Sequence, residues 1–236
     1  LLARFAALHP VAATGMGIHD HDGSWGEHGA AGRAARLAWC DSEEARLLAA
    51  PASGLGADDL CDRDLALGTI RAIRFELNEV RPEAWDPLHA VSVIGGGLFP
   101  LIARSFGTPD RRASDLASRL SRVPAMLDAA VADLTGVPEL RVLADDGAPR
   151  RGGALPPSGM VTLPARPVSR LHTETAIAQA PGIAELAEMA VATYGEGLRP
   201  SADSAIAATT RFIERLRSEV LPRSAGEGRY GAALYD

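Results

Sequence analysis

The stretch DPLHAVSVIGGGLFPLIARSF, residues 86–106, decides how this chain folds. Asp86 stands directly before Pro87, which is typical of a helix start, because an aspartate caps the first turn and a proline fits its first position. The residues that follow are apolar around almost the whole helical circumference, whereas a surface helix keeps one polar face. The sequence therefore predicts a central helix, with residues 91–103 as the most buried segment of the chain.

Helical periodicity continues on both sides of this central segment. Apolar residues recur at spacings of three and four, or a clear start signal is present, in residues 2–17, 30–50, 58–80, 108–134, 172–195 and 201–220. We expect residues 30–50 and 58–80 to pack as an antiparallel pair. The predicted fold class is all-α, a multi-helix array of antiparallel helices, and the predicted organisation is a single helical domain over residues 1–236.

One segment departs from the helical pattern. Residues 142–167 are crowded with glycine and proline, which break helices and favour turns. We interpret this segment as a long surface insertion that holds at most a short hairpin.

Composition limits the partners that this chain can have. There are 30 acidic residues and 24 basic ones, all of them arginine, and the net charge is -6. No basic stripe stands out, so nucleic acid is not an expected partner, because binding it requires clustered positive charge. The use of arginine without lysine is typical of a high-GC genome.

The same composition bears on location. The longest apolar run, residues 91–103, is far shorter than the ~20 residues that cross a bilayer, and we therefore expect no membrane segment. We expect a cytoplasmic protein. Export stays open, because the sequence does not begin with methionine and its natural amino terminus is not identified by the residues shown.

The common catalytic motifs are missing from the sequence. No histidine is followed by another four residues later, as the zinc motif H-E-x-x-H requires to place two imidazoles on one helix face. The glycines at residues 95–97 are not followed by the lysine of a phosphate-binding loop, and no G-x-S-x-G segment is present. We therefore predict no catalytic residue and no cofactor for this chain alone.

The segment HTETAIAQ, residues 172–179, is the first candidate for a binding site. His172 and Glu174 are two residues apart, which separates their side chains by roughly 200° on a regular helix and prevents them from chelating one ion. At a helix entrance capped by Thr173 or Thr175, both side chains are free to face a cleft. In the alternative interpretation they are structural, with the histidine capping or packing and the glutamate meeting an arginine.

His19 and His21 form a second, weaker candidate. In an extended segment, two histidines separated by one residue point to the same side and can bind one metal ion together. The pair lies in a glycine-containing loop, and no carboxylate-rich segment can be assigned to it from the sequence. A solvated or hydrogen-bonded loop is the competing interpretation.

Four segments taken in order resemble the amino-terminal half of the bacterial family of unknown function DUF885. They are residues 8–23 (LHPVAATGMGIHDHDG), residues 61–67 with 75–82 (CDRDLAL and FELNEVRP), residues 86–106 and residues 172–179. No segment is specific alone, but the four agree in order and spacing over nearly the whole chain. The insertion at residues 142–167 is the main departure.

The resemblance implies a helical protein similar to zinc metallopeptidases of the thimet-oligopeptidase and angiotensin-converting-enzyme type. In such proteins the H-E-x-x-P-G-H segment lies in the carboxyl-terminal half, which this sequence does not contain. The chain is then the non-catalytic helical half of a metal-dependent hydrolase, inactive alone, whose partner is the carboxyl-terminal catalytic half and whose full-length form uses zinc.

The resemblance also suggests a role for the first candidate site. His172, Glu174 and Gln179 are expected to line the substrate cleft opposite the metal and to bind the polar backbone or terminus of a peptide-like substrate. The alternative function is a stand-alone helical binding or scaffold module without enzymatic activity. A homodimer stays open in either case.

Overall fold

The computed structural model describes residues 1–51, 53–143 and 160–230. Within these ranges the chain forms ten α-helices and two short strands. The helices are α1 (Leu2–Leu8), α2 (Pro10–Gly15), α3 (Gly29–Ala49), α4 (Ala57–Phe75), α5 (Pro82–Trp85), α6 (Pro87–Ala103), α7 (Pro109–Asp133), α8 (Arg170–Gln179), α9 (Pro181–Tyr194) and α10 (Arg199–Arg215), and the strands are β1 (Leu140–Leu143) and β2 (Met160–Leu163). The predicted all-α, multi-helix fold is confirmed.

Helix α6 lies at the centre of the fold, as the sequence predicts. Asp86 is its N-cap and accepts a hydrogen bond from the backbone N–H of Leu88 at 2.9 Å. Ile94, Leu98 and Leu101 are completely buried against neighbouring helices.

One stripe of α6 is nevertheless exposed. It consists of Ser92, Gly96, Phe99 and Ala103, which repeat at helical spacing, and the side chain of Phe99 is 53% exposed. The segment predicted to be the most buried, residues 91–103, therefore has one side that faces solvent. Hydropathy shows how apolar a helix is, but the packing of its neighbours decides which side they cover.

The main hydrophobic core joins α6 to α7, α9 and α10. Its completely buried members are aliphatic, which agrees with a sequence rich in alanine and leucine, and include Leu116, Leu120, Val123, Ile183 and Leu216. Helix α8 adds Ala176 to this core and brings the segment 172–179 close to the start of α6. This bundle positions the candidate sites described below.

Helices α3 and α4 form the predicted antiparallel pair. The guanidinium of Arg33, near the start of α3, donates to the carbonyl of Leu77, whereas Arg71 of α4 pairs with Glu44 near the end of α3. The chain therefore reverses direction between the two helices. The pair has a small core of its own, built from Trp39, Cys40 and Ile70 and separate from the main core.

The end of α4 is not a regular α-helix. Residues Glu76–Val80 form a π-helical turn, and Arg81 follows in the left-handed conformation. A second π-helical turn, Leu216–Val220, extends α10. Short π-helical segments often lie at functional sites, and the one before Arg81 lies beside the cleft described below.

Strand β1 begins two residues before the predicted insertion at residues 142–167, and β2 lies within it. Strands β1 and β2 pair in antiparallel fashion, with Leu140 opposite Leu163, and the residues between them, 144–159, lie outside the described part. Leu163 and Arg166 are buried, and Arg166 donates to the backbone carbonyls of Glu79 and Val80. The carboxyl-terminal end of segment 142–167 thus packs against the end of α4 rather than lying on the surface.

Among the described helices, none is by itself both long enough and apolar enough to cross a membrane. One pair of consecutive helical segments, Ala57–Trp85 and Pro87–Ala103, meets the length and composition requirements together, but the chain bends by 103° between them.

Candidate ligand-binding cleft

An open cleft with a volume of about 300 Å³ lies where the start of α3, the start of α6 and the end of α7 meet. Its apolar lining includes Val93, Ile94, Met126, Ala130 and Leu134. Its polar lining consists of His28, Arg33, Arg36, Arg81, Glu83, Asp86, His89, Asp133 and Thr135. An apolar floor with a few convergent polar groups is the usual composition of a small-molecule site.

Two arginines of α3 line the cleft from the same helix face, because they are three residues apart. Arg33 donates through Nε to the carbonyl of Leu77 at 2.8 Å and through Nη2 to the side chain of Asn78 at 3.3 Å. Arg36 donates through Nη1 to the carbonyl of Glu27 at 3.0 Å. Neither guanidinium forms an ion pair with a carboxylate of the described residues.

The position of Arg36 depends on a glycine in the same helix. A β-carbon at Gly32 would overlap the carbonyl of Glu27, which is the carbonyl that accepts the hydrogen bond from Arg36. The loop before α3 can therefore fold back over the helix only because residue 32 has no side chain. Burial lowers the pKa of Arg36, and the nearby carboxylates of Glu83 and Glu76 oppose that effect.

Two of the three carboxylates of the cleft are close to other groups. Glu83 lies 3.9 Å from Nε of Arg81, and Asp86 lies 3.0 Å from Nδ1 of His172 while it caps α6. Burial raises the pKa of Asp133, and the charge of His28 opposes that effect. None of the three carboxylates forms an ion pair with Arg33 or Arg36, although Glu83 is close enough to Arg36 to raise its pKa.

Arg81 has the most unusual backbone of the cleft. Its φ is 48°, and it is the one residue other than glycine with a positive φ in the part of the chain that the structure describes. Its N–H donates to the carbonyl of Glu76 at 2.8 Å and closes the π-helical turn. A left-handed arginine costs free energy, and such strain is concentrated at functional sites.

Two histidines complete the rim. His28 immediately precedes α3, and partial burial together with the charge of Arg36 lowers its pKa. Its ring is therefore neutral near pH 7 and can accept a hydrogen bond through one nitrogen. His89, in the first turn of α6, lines the same space.

The structure places His172 behind the wall of this cleft. The ring packs at a tilt against Trp85, with 5.5 Å between centroids, and Nδ1 lies 3.0 Å from Asp86 Oδ1. Helix α8 begins at Arg170, and its cap is Ser169, whose Oγ accepts from the backbone N–H of His172 at 3.1 Å.

The expectation that a threonine of this segment caps the helix is therefore wrong. His172 lies inside the first turn rather than at the entrance, and Thr173 is buried and donates to the carbonyl of Ser169. A serine three residues before the histidine satisfies the helix start, so the threonines are free to pack.

Glu174 and Gln179 are not brought to the cleft. Glu174 accepts from Nε of Arg170 at 3.0 Å in an exposed ion pair and lines a shallow depression with Gly226 and Glu227. Gln179 is exposed at the last position of α8. These contacts agree with the structural interpretation of the segment, in which the glutamate meets an arginine, and substrate binding by the three residues stays a prediction.

His19 takes part in a network with two buried side chains, Asp22 and Thr14. Its Nδ1 lies 2.8 Å from Asp22, and its ring stacks on Phe106 with 3.7 Å between centroids. Asp22 is itself buried and accepts from Thr14 at 2.6 Å. Across residues 1–51, 53–143 and 160–230, no group of three or more His, Cys, Asp and Glu side chains is arranged so that it could hold a metal ion.

Sequence reasoning did not identify the arginines and histidines of the cleft. The chain contains 24 arginines, and the sequence does not show which of them lie in a cleft without an ion-pair partner. The spacing of Arg33 and Arg36 places them on one helix face, yet that spacing is common. What matters for Arg33 and Arg36 is the distance between each guanidinium and the carboxylates of other elements. That distance cannot be read from the sequence.

Comparison with known proteins gives a family and a fold. A family model described as a bacterial protein of unknown function, DUF885, matches residues 10–236. The chain superimposes with a TM-score of 0.69 and 21% identity on a structure from Shewanella oneidensis that is described as a candidate lipoprotein of unknown function. The alignment covers 93% of this chain but 36% of that one, so the chain spans about a third of its neighbour's length. A comparison with curated proteins gives no match.

Proposed function

Since the chain belongs to the bacterial family of unknown function DUF885, we propose that it is the non-catalytic helical part of a longer hydrolase and that its cleft forms one wall of the substrate site. The observation that carries this proposal is the open cleft itself, in which an apolar floor meets convergent arginine and histidine side chains. That combination suits a peptide-like substrate, which presents aliphatic side chains next to polar and charged groups.

A second observation favours this proposal over a stand-alone binding or scaffold module. The stripe of α6 formed by Ser92, Gly96, Phe99 and Ala103 is exposed, although the rest of that helix is the centre of the core. Single exposed aromatic rings are common on protein surfaces, but this one lies on the most apolar helix of the chain, where a covering segment would bury it. In the proposed protein, the carboxyl-terminal catalytic half covers this stripe. A solitary scaffold would keep a polar surface there.

Zinc belongs to the proposal only through the longer protein. The described residues do not fit a zinc site. His19 lies next to Asp22 and His172 lies next to Asp86, and neither pair has a third possible ligand close to it among the described residues. Any metal that supports hydrolysis would therefore be held by residues elsewhere in the protein. The residues of this chain would bind and orient the substrate.

Two matched tryptophan substitutions test the proposed role of the cleft. Ala129 is exposed on α7 and lines the cleft, whereas Ala207 is exposed on α10 and does not. In the full-length natural protein, we expect Ala129→Trp to fill the cleft and lower the hydrolysis of a peptide library by about tenfold or more, because a displaced substrate loses its reactive alignment. We expect Ala207→Trp to leave hydrolysis unchanged, and both variants to melt near the wild-type temperature.

Two results would contradict the proposal. Equal hydrolysis by both tryptophan variants would show that the cleft takes no part in the reaction. Complete inactivity of the full-length wild-type protein on peptides, with and without added zinc, would favour the binding or scaffold module.

The compartment is a separate proposal. The cytoplasmic location expected from the sequence has no support in the comparisons, and the neighbour from Shewanella oneidensis is described as a candidate lipoprotein. We propose export with lipid anchoring as the alternative to test. Fractionation of cells that express the full-length gene distinguishes a cytoplasmic from a membrane-associated protein.

A further inference from the structure

We infer that the cleft binds a carboxylate attached to a short aliphatic group, and that Arg33 and Arg36 hold the carboxylate. This inference deepens the proposed function, since it names the chemical class that the cleft recognises. The binding itself requires only the cleft and not a hydrolytic activity.

The first argument is the charge balance of the two arginines. Several arginines of the described chain have a carboxylate partner, for example Arg71 with Glu44 and Arg199 with Glu188. Arg33 and Arg36 are instead held by backbone carbonyls and an amide, which orient a guanidinium but leave its charge in place. Two such charges on one face of a half-buried helix favour an anion between them.

The second argument is the number of hydrogen-bond donors that stay available. A guanidinium has five N–H donors, of which Arg33 uses two and Arg36 uses one with the protein. The groups that hold the two side chains also define their orientation, so little side-chain entropy is lost when an anion binds. A carboxylate, which accepts up to about four hydrogen bonds, matches this set of donors.

The third argument is the apolar floor next to the arginines. Val93, Met126 and Ala130 line the same cleft, and the volume of about 300 Å³ accommodates a small side chain rather than a long polymer. Inorganic phosphate would leave this floor uncovered, and nucleic acid is disfavoured by the net charge of -6. A carboxylate with an aliphatic side chain, such as a peptide terminus, uses both parts of the cleft.

Calorimetric titration of the full-length protein with three probes tests the inference. The probes are N-acetyl-leucine, its uncharged amide and inorganic phosphate, and the variants are Arg36→Ala, Arg36→Lys and Ala129→Trp. We expect N-acetyl-leucine to bind about tenfold or more tightly than its amide, because only the acid forms charge-assisted hydrogen bonds. Arg36→Ala and Ala129→Trp should each weaken its binding by a similar factor, and Arg36→Lys should keep part of it.

The control is Arg211→Ala, which removes an exposed arginine of α10 outside the cleft and should leave binding unchanged. Melting temperatures show whether each variant is folded, and Arg36→Lys together with Ala129→Trp keeps the test valid if Arg36→Ala does not fold. Equal binding of acid and amide, binding of neither, or phosphate binding as tight as that of N-acetyl-leucine would overturn the inference.

The same titration separates this inference from the proposed function. Acid-specific binding by a protein that hydrolyses no peptide would leave the inference standing and remove the hydrolase proposal. Peptide hydrolysis that is sensitive to Ala129→Trp, with no preference for the acid over the amide, would support the hydrolase proposal and remove the inference.

Discussion

At the scale of single residues, the glycines of α6 differ in what surrounds them. Gly97 faces the ring of Trp25, and a β-carbon there would overlap the indole, whereas Gly96 has open space around it. The same indole donates to the carbonyl of Arg119 at 2.9 Å, and the buried guanidinium of Arg119 donates to the carbonyl of Gly97 and lies 5.2 Å from the ring centroid. Gly97 therefore allows the amino-terminal loop to pack on the central helix.

Gly97→Ala should destabilise the protein, since the added methyl group forces the Trp25 ring away from the helix. We expect a loss of about 1–3 kcal/mol in the free energy of unfolding, typical of overpacking a core. Urea denaturation followed by tryptophan fluorescence measures it.

Gly96→Ala is the matched control for that experiment. It lies one position away in the same helix, and alanine is favoured over glycine in a helix interior, so we expect an increase of about 0.5–1 kcal/mol. A similar loss in both variants would mean that glycine is needed along the whole helix and that the contact with Trp25 does not decide the effect.

At the scale of elements, Asp86 links the central helix to α8. It caps α6 through the backbone N–H of Leu88, and the same carboxylate oxygen lies 3.0 Å from Nδ1 of His172. The two segments are far apart in sequence but meet at the edge of the cleft. His172 therefore lies next to a residue that lines the cleft, whereas Glu174 of the same helix faces solvent.

Asp86→Ala should lower stability by about 1–2 kcal/mol, because it leaves the first turn of α6 without its cap and His172 without its partner. Asp86→Asn should cost less than half of that, because asparagine is an equally good capping residue. Thermal denaturation at neutral pH gives both values. If both variants lost the same stability, the contact with His172 rather than the helix cap would be the dominant contribution.

At the scale of the whole molecule, the described residues form one large hydrophobic core and two small ones, of which one contains Ala84, Trp85 and Val137. The main core joins α6, α7, α9 and α10, and the other small one, built around Trp39, Cys40 and Ile70, lies within the α3–α4 pair. Most side chains of that pair remain exposed or half-buried. A hairpin with so few buried apolar side chains is expected to open without unfolding the bundle.

Native-state hydrogen exchange tests this difference between the main core and the core of the α3–α4 pair. We expect the backbone amides of α3 and α4 to exchange about tenfold or more faster than those of α7 and α10, because local opening exposes little apolar surface. Movement of the α3–α4 pair would then change the positions of Arg33 and Arg36 in the cleft. Equal exchange rates in all four helices would show that the chain unfolds as one unit and that the hairpin is not independent.

Local signals in the sequence were sufficient for the class of fold. The apolar content of residues 86–106, the start signal at Asp86-Pro87 and the helical spacing elsewhere depend only on neighbouring residues, and all led to the observed helices. The glycine- and proline-rich segment likewise indicated the short hairpin whose two strands are described. These features were predictable because helix formation and capping are decided within a few residues.

The sequence by itself determined the family resemblance, the helices and the antiparallel pairing of α3 with α4. Only the tertiary structure decided which side of α6 stays exposed and that His172 lies next to Asp86. It also decided that Arg33 and Arg36 line a cleft and form no ion pair there. The physical reason is that burial and charge pairing depend on groups brought together from distant parts of the chain. A short motif such as HTETAIAQ shows which side chains are available, but long-range packing sets the direction that each one faces.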